Sequence, residues 1–170
     1  MFVKRLCQGI SVVLLMICPA FGHGHPSLEP TQLVGSGILK IYWAKVYTLS
    51  HYHITAPGLY EHATVLTYDY LRDIPKEATL KASLEEFARY PNITKEKQAR
   101  WMGYLDIALT DMAVGDHAEI WHTSDGSLTF FTRDHTPHRF DDAEFAEVFM
   151  NIWLGENTNY PELRQHLLGQ

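Results

Sequence analysis

The last 30 residues, Asp141 to Gln170, constrain this chain more than any other stretch, because both ends of two helices can be read from them. Asp141 or Asp142 is placed to cap the first helix by accepting free backbone N–H groups. Phe145, Val148, Phe149 and Ile152 then recur at helical spacing and form one apolar face. Gly155 reads as the stop, through the left-handed conformation that glycine adopts cheaply. Pro161 sits in the first turn of a second, short helix that ends near Leu167-Leu168-Gly169.

The N-terminus reads as a targeting segment. Lys4 and Arg5 supply its positive region, and Ile10 to Ile17 is an apolar run too short to span a bilayer comfortably. Ala20-Phe21-Gly22 presents small residues where a signal peptidase reads, so residues 1–22 are expected to be a signal peptide cleaved before His23. The alternatives are a retained anchor or a lipoprotein, and Ile17 before Cys18 fits a lipobox poorly. The expected location is periplasmic or secreted, with no membrane span after cleavage. Both cysteines, Cys7 and Cys18, lie in this segment, so the remaining chain forgoes disulfides and depends on its core. Without Lys4 and Arg5, the 14 basic residues fall to 12 against 20 acidic ones, a formal charge of −8. That balance argues against nucleic acid and against an anionic membrane surface as partners.

Residues 23–32 read as a loose, Pro-containing leader, and 33–170 as one domain. Gly35-Ser36-Gly37 is a turn signal, and Ile38 to His53 reads as one long strand. Its two faces are both largely apolar, as in a strand covered on both sides. Ala56-Pro57-Gly58 is a turn, and Thr64 to Leu71 a second strand. Pro75 to Tyr90 switches to helical period, with Leu80, Leu84 and Phe87 as its stripe. Thr94 to Met112 is another helix, marked by Trp101, Leu105, Ala108 and Met112. Asp125-Gly126 joins His117–Thr123 to Ser127–Thr132 in a hairpin. Strands, two helices, a hairpin and two helices imply an α+β fold with helices on one face of an antiparallel sheet.

In that order, several motifs resemble the bacterial chalcone-isomerase-like domains. They are the Gly-Ser-Gly segment followed by Lys45-Val46-Tyr47, Thr67-Tyr68 with Arg72-Asp73-Ile74, Gly115-Asp116, and Ile152 to Gly155 with Leu163-Arg164 and Leu167 to Gly169. The resemblance implies an open-faced β-sandwich with a helical layer, and a cleft between the two. In the family's plant enzymes an arginine, a strand threonine, a helix tyrosine, an asparagine and a late-helix hydroxyl line that cleft. Carried over by position, these fall on Leu39, near Tyr42, near Ala82, near Arg89 and near Ile152, with Asn151 beside the last. Ring closure needs placed donors for a developing enolate. Leu39 cannot donate, Ala82 cannot orient water, and Lys40 points to the opposite strand face from Leu39. The plant activity is therefore not expected, and Leu39, Tyr42, Ala82, Arg89, Asn151 and Ile152 stand as a candidate ligand pocket with no catalytic residue assigned.

Histidines invite a metal reading. His51 and His53 share a strand face, and His135 and His138 flank Pro137. With no cysteine after residue 22, no His-Glu-x-x-His pattern and no carboxylate at a ligand-like offset, neither metal nor cofactor is expected, and His23 and His25 read as part of a polar tail. The serines lack a nucleophile elbow. Three functional readings remain. The first is a non-catalytic domain holding a small apolar ligand such as a fatty acid, to which relatives without the catalytic set lend support. The second is an isomerase-type enzyme with a site relocated to Arg89, Tyr42 and Asn151. The third is a structural or partner-binding protein with a filled interior, its protein partner unknown.

Overall fold

A computed structural model describes residues 31–55, 62–133 and 136–170. The segment read as a signal peptide, residues 1–22, most of the leader read over 23–32, Ala56-Pro57-Gly58 and His135 lie outside them. The described strands are β1 (Thr31–Ile41), β2 (Ala44–Ile54), β3 (Thr64–Tyr70), β4 (His117–His122), β5 (Leu128–Phe131) and β6 (Pro137–Phe140). They form one antiparallel sheet in sequence order. Helices α1 (Lys76–Phe87), α2 (Lys95–Ala108), α3 (Ala143–Leu154) and α4 (Pro161–Leu167) complete an α+β architecture.

The long strand expected over Ile38–His53 is a hairpin. Ile41 pairs with Ala44 across a two-residue turn, Tyr42-Trp43. Tyr42 takes φ of 55°, a region that favours glycine or asparagine, so the turn carries no turn-forming residue by which to recognise it. Gly35-Ser36-Gly37, expected as a turn, lies inside β1. A Cβ on Gly35 would fall 1.9 Å from the His166 carbonyl oxygen, so glycine there lets α4 press directly onto the strand. β6 is a strand that no element in the sequence reading covers; Pro137, between the two histidines noted there, opens it at the described sheet's edge.

Helix ends follow local chemistry. Asp142, not Asp141, caps α3: its carboxylate accepts from Phe145 N at 3.1 Å and also from Trp101 Nε1 at 3.1 Å. α2 is capped by the Thr94 hydroxyl. Gly155 does end α3, but at φ −70° and ψ 152°, an extended conformation. Its requirement is space, since a Cβ would lie 2.6 Å from the Asn151 carbonyl oxygen.

The main core lies between sheet and helices. Leu49, Leu66, Leu128 and Phe130 from the strands meet Phe87, Trp101, Leu105 and Phe145 from the helices, all fully buried. Phe145 is the hub of an aromatic cluster that includes Phe130, Phe140, Phe149, Trp101 and Tyr104. The sheet's other face carries a smaller cluster of Ile54, Ala63, Val65, Trp121 and Phe131.

Candidate functional site

The sequence assigns α1 an apolar stripe of Leu80, Leu84 and Phe87. Phe87 is buried, but Leu84 is exposed and Leu80 only half-buried. The face that α1 turns toward the sheet instead carries Ala78, Thr79, Ala82, Ser83 and Glu86, at three- and four-residue spacing. Small side chains there cannot reach the tyrosines of the sheet. A cavity of about 560 Å³ remains between them.

The walls are mostly hydrocarbon and aromatic. Leu39, Val46, Tyr47, Tyr68 and Tyr70 form the sheet side, with Ile120 and Phe130 beyond them. Phe149, Ile152 and Trp153 close it from α3, and Tyr160 from the approach to α4. Exposed residues mark the mouth: Ile41, Tyr42 and Trp43 on the hairpin tip, and Arg72 and Asp73 after β3.

Five polar groups define the interior chemistry. Burial holds the Tyr47 and Tyr68 hydroxyls well above their ordinary value of 10, and pushes Tyr70 up to about 12. All three are therefore neutral hydrogen-bond donors at physiological pH, not bases. The Tyr68 hydroxyl and Trp153 Nε1 are buried with no hydrogen-bond partner. Trp153 lies beside the Tyr68 hydroxyl and acts against the dominant effect of burial on its ionisation. The fifth group, Glu86, is already engaged. Its carboxylate accepts from Arg89 Nη1 at 2.7 Å and from Asn159 Nδ2 at 2.7 Å.

Of the six residues read from the sequence as a pocket, Leu39, Tyr42, Ala82 and Ile152 line this cavity. Arg89 and Asn151 do not. The Arg89 guanidinium is committed to Glu86 and to the Asn157 carbonyl oxygen at 2.6 Å. Asn151 is half-buried near the end of α3, where its backbone oxygen accepts from Gly155 N. A relocated catalytic site at Arg89, Tyr42 and Asn151 therefore does not assemble around the cavity, and a filled interior is not what the fold builds. The cavity is also lined by Tyr47, Tyr68 and Tyr70, which the sequence offers, with Tyr42 and Trp43, as aromatics able to line a cleft. Trp153 joins them from α3, where its position beside the Gly155 stop suggests packing first.

The histidine pairs are also placed. His51 is buried, with Nδ1 bonded to the Leu167 carbonyl oxygen at 3.0 Å, and burial lowers its pKa. Its ring meets His53 edge-on at 4.8 Å. Among the described residues no group of three or more His, Cys, Asp or Glu side chains is placed to hold a metal.

A family profile described as chalcone isomerase-like matches residues 27–169. The chain belongs to that family. Among solved structures, it is similar to the crystal structure of a fatty-acid binding protein from Arabidopsis thaliana, with a TM-score of 0.64 at 8% identity. The match covers 83% of this chain and 88% of the plant protein. At that identity the likeness is one of fold. No curated protein sequence matches the chain. This chalcone isomerase-like domain shares the scaffold of an antiparallel sheet with a helical layer.

Proposed function

We propose that this chalcone isomerase-like protein is a non-catalytic carrier of one small apolar molecule, such as a fatty acid, held between sheet and helices. The observation that carries this reading is the cavity of about 560 Å³, walled by apolar and aromatic side chains, with two buried unpaired donors inside. Its size falls in the range of about 300–1000 Å³ usual for small-molecule sites. Unpaired donors cost folding energy, and a ligand oxygen meeting Tyr68 Oη and Trp153 Nε1 removes that cost. The plant structural neighbour, described as a fatty-acid binding protein, supports the same class of ligand. In this reading the chain is also exported, with cleavage near Gly22; N-terminal sequencing of the periplasmic fraction tests that part.

The binding test is calorimetric titration with dodecanoic acid, followed in parallel by tryptophan fluorescence. The expected result is saturable one-to-one binding that perturbs Trp153. Absence of both heat and spectral change, together with no lipid in mass spectra of the purified protein, overturns the reading.

A further inference from the structure

The hairpin tip spends two large aromatics on solvent. Tyr42 is 91% exposed and Trp43 90% exposed, with Ile41 at 51% beside them. Among the described residues, their rings contact each other, with centroids 6.3 Å apart. Tyr42 also holds a positive φ that glycine would adopt more cheaply. Neither side chain contributes to the core.

Directly behind the tip, Lys40 and Lys45 are cross-strand partners on β1 and β2. Like charges facing each other across a strand pair disfavour the hairpin. Both lysines are exposed, and no ion pair is recorded for either among the described residues. Arg72, at the same mouth, is likewise exposed and has no recorded ion pair; its neighbour Asp73 is bonded to Val114 N. The tip thus carries local positive charge on a chain whose formal net charge is −6. Overall charge argued against a membrane partner, but contact is decided by the charges within a Debye length of the surface, about 8–10 Å.

We propose that the β1–β2 tip docks on a phospholipid bilayer. Tyr42 and Trp43 enter the interface, where amphipathic aromatics are favoured. Lys40 and Lys45 meet lipid phosphates from just above it. The tip residues also line the mouth of the cavity, so docking places the opening against the bilayer and lets an apolar molecule pass without crossing water. This last step rests on the carrier reading; docking itself does not.

The experiment is flotation with vesicles of phosphatidylcholine, with and without a minority of phosphatidylglycerol, and no added ligand. Wild-type protein is expected to float with the vesicles, more so with phosphatidylglycerol, and to show a blue shift of tryptophan emission. The double variant Tyr42→Ser/Trp43→Ser should float about tenfold less or weaker still, because it removes the buried apolar area. Lys40→Gln/Lys45→Gln should lose the preference for phosphatidylglycerol. Circular dichroism confirms that both variants fold, which their exposure favours. Equal flotation of wild type and Tyr42→Ser/Trp43→Ser overturns the proposal, as does no flotation of wild type. A dimer that forms without vesicles and is lost in the same variant assigns the tip to a second copy and also overturns it. Because flotation is read without ligand, a failed dodecanoic acid titration with no co-purified lipid overturns the carrier reading and leaves this one standing.

Discussion

The indole of Trp153 stacks on the ring of Tyr160, with centroids 5.2 Å apart and planes inclined by 24°. Its other contacts are edge-on, to Tyr47 at 6.1 Å and Tyr68 at 6.2 Å. One side chain therefore ties α3 to the start of α4 and to two strands, and still presents an unbonded N–H within the wall of the cavity. Structural and ligand-facing roles coincide in Trp153, so they have to be separated by choice of substitution.

Trp153→Ala removes both roles. It should destabilise the fold by about 3–5 kcal/mol, the usual cost of emptying a buried aromatic site. A domain of this size has about 5–15 kcal/mol in total, so the variant should melt early in a thermal scan. Trp153→Phe keeps most of the ring packing and deletes only the N–H. It should unfold within about 1.5 kcal/mol of wild type yet bind dodecanoic acid more weakly. If Trp153→Phe binds as tightly as wild type, the indole N–H has no part in holding the ligand.

Tyr68→Phe separates stability from binding more cleanly. The hydroxyl is buried and unpaired, so its removal relieves a desolvation cost. Denaturant midpoints should be unchanged or slightly higher, by up to about 1 kcal/mol. Ligand affinity should fall by roughly threefold to tenfold, the equivalent of one ordinary hydrogen bond. A loss of stability above about 2 kcal/mol would mean that the hydroxyl has a structural partner after all.

Gly35→Ala tests the contact of α4 with β1. The added methyl would meet the His166 carbonyl oxygen at 1.9 Å, and backbone on a packed helix cannot swing aside like a side-chain tip. The expected cost is about 1–3 kcal/mol or more, with amide hydrogen exchange rising first in α4. Gly103→Ala is the control. Gly103 lies within α2, nothing stands within 4 Å of its added methyl, and a gain of about 0.5–1 kcal/mol is expected from helix propensity. Equal behaviour of the two variants would show that Gly35 is not held by close approach.

Much of the fold was legible because the periodic signals lie on elements whose burial is decided locally. α3 reads directly from Asp142 and its Phe-rich face, and the β4–β5 hairpin from Asp125-Gly126, where Gly126 has φ of 82°. The β1–β2 turn was not legible. Tyr42-Trp43 carries no turn chemistry, and apolar alternation runs through it as though the strand continued. The cavity was half legible for a related reason. Periodicity finds what fills a core, so it picked Leu84, which is exposed, and passed over Ala78, Ala82 and Ser83, whose small size leaves the space. Arg89 reads as a pocket residue from its position, but a sequence position does not show that α1 ends at Phe87 or which carboxylate will claim the guanidinium, here that of Glu86.

The last prediction concerns pH. His117 bridges Glu119 and Asp69 on the sheet face opposite the cavity, with Nε2 3.2 Å from Glu119 and Nδ1 2.7 Å from Asp69. The Glu119 carboxylate is the main cause, joined by Asp69 and opposed by partial burial, of a pKa raised from 6.5 to about 9. A folded-state pKa above the unfolded one favours the native fold while the ring is protonated in both states. The stabilisation is therefore fully present below about pH 6.5 and is lost as pH rises toward about 9. His51 and His122 do not confuse this window, because burial lowers their pKa values and moves their titration to more acid pH. The side chain of His117 is 40% exposed, so solvent screening reduces the effect to about 1 kcal/mol. Urea denaturation at about pH 6 and about pH 9 should show that difference in wild type, and His117→Gln should flatten it. An unchanged slope in His117→Gln would assign the pH dependence to another group.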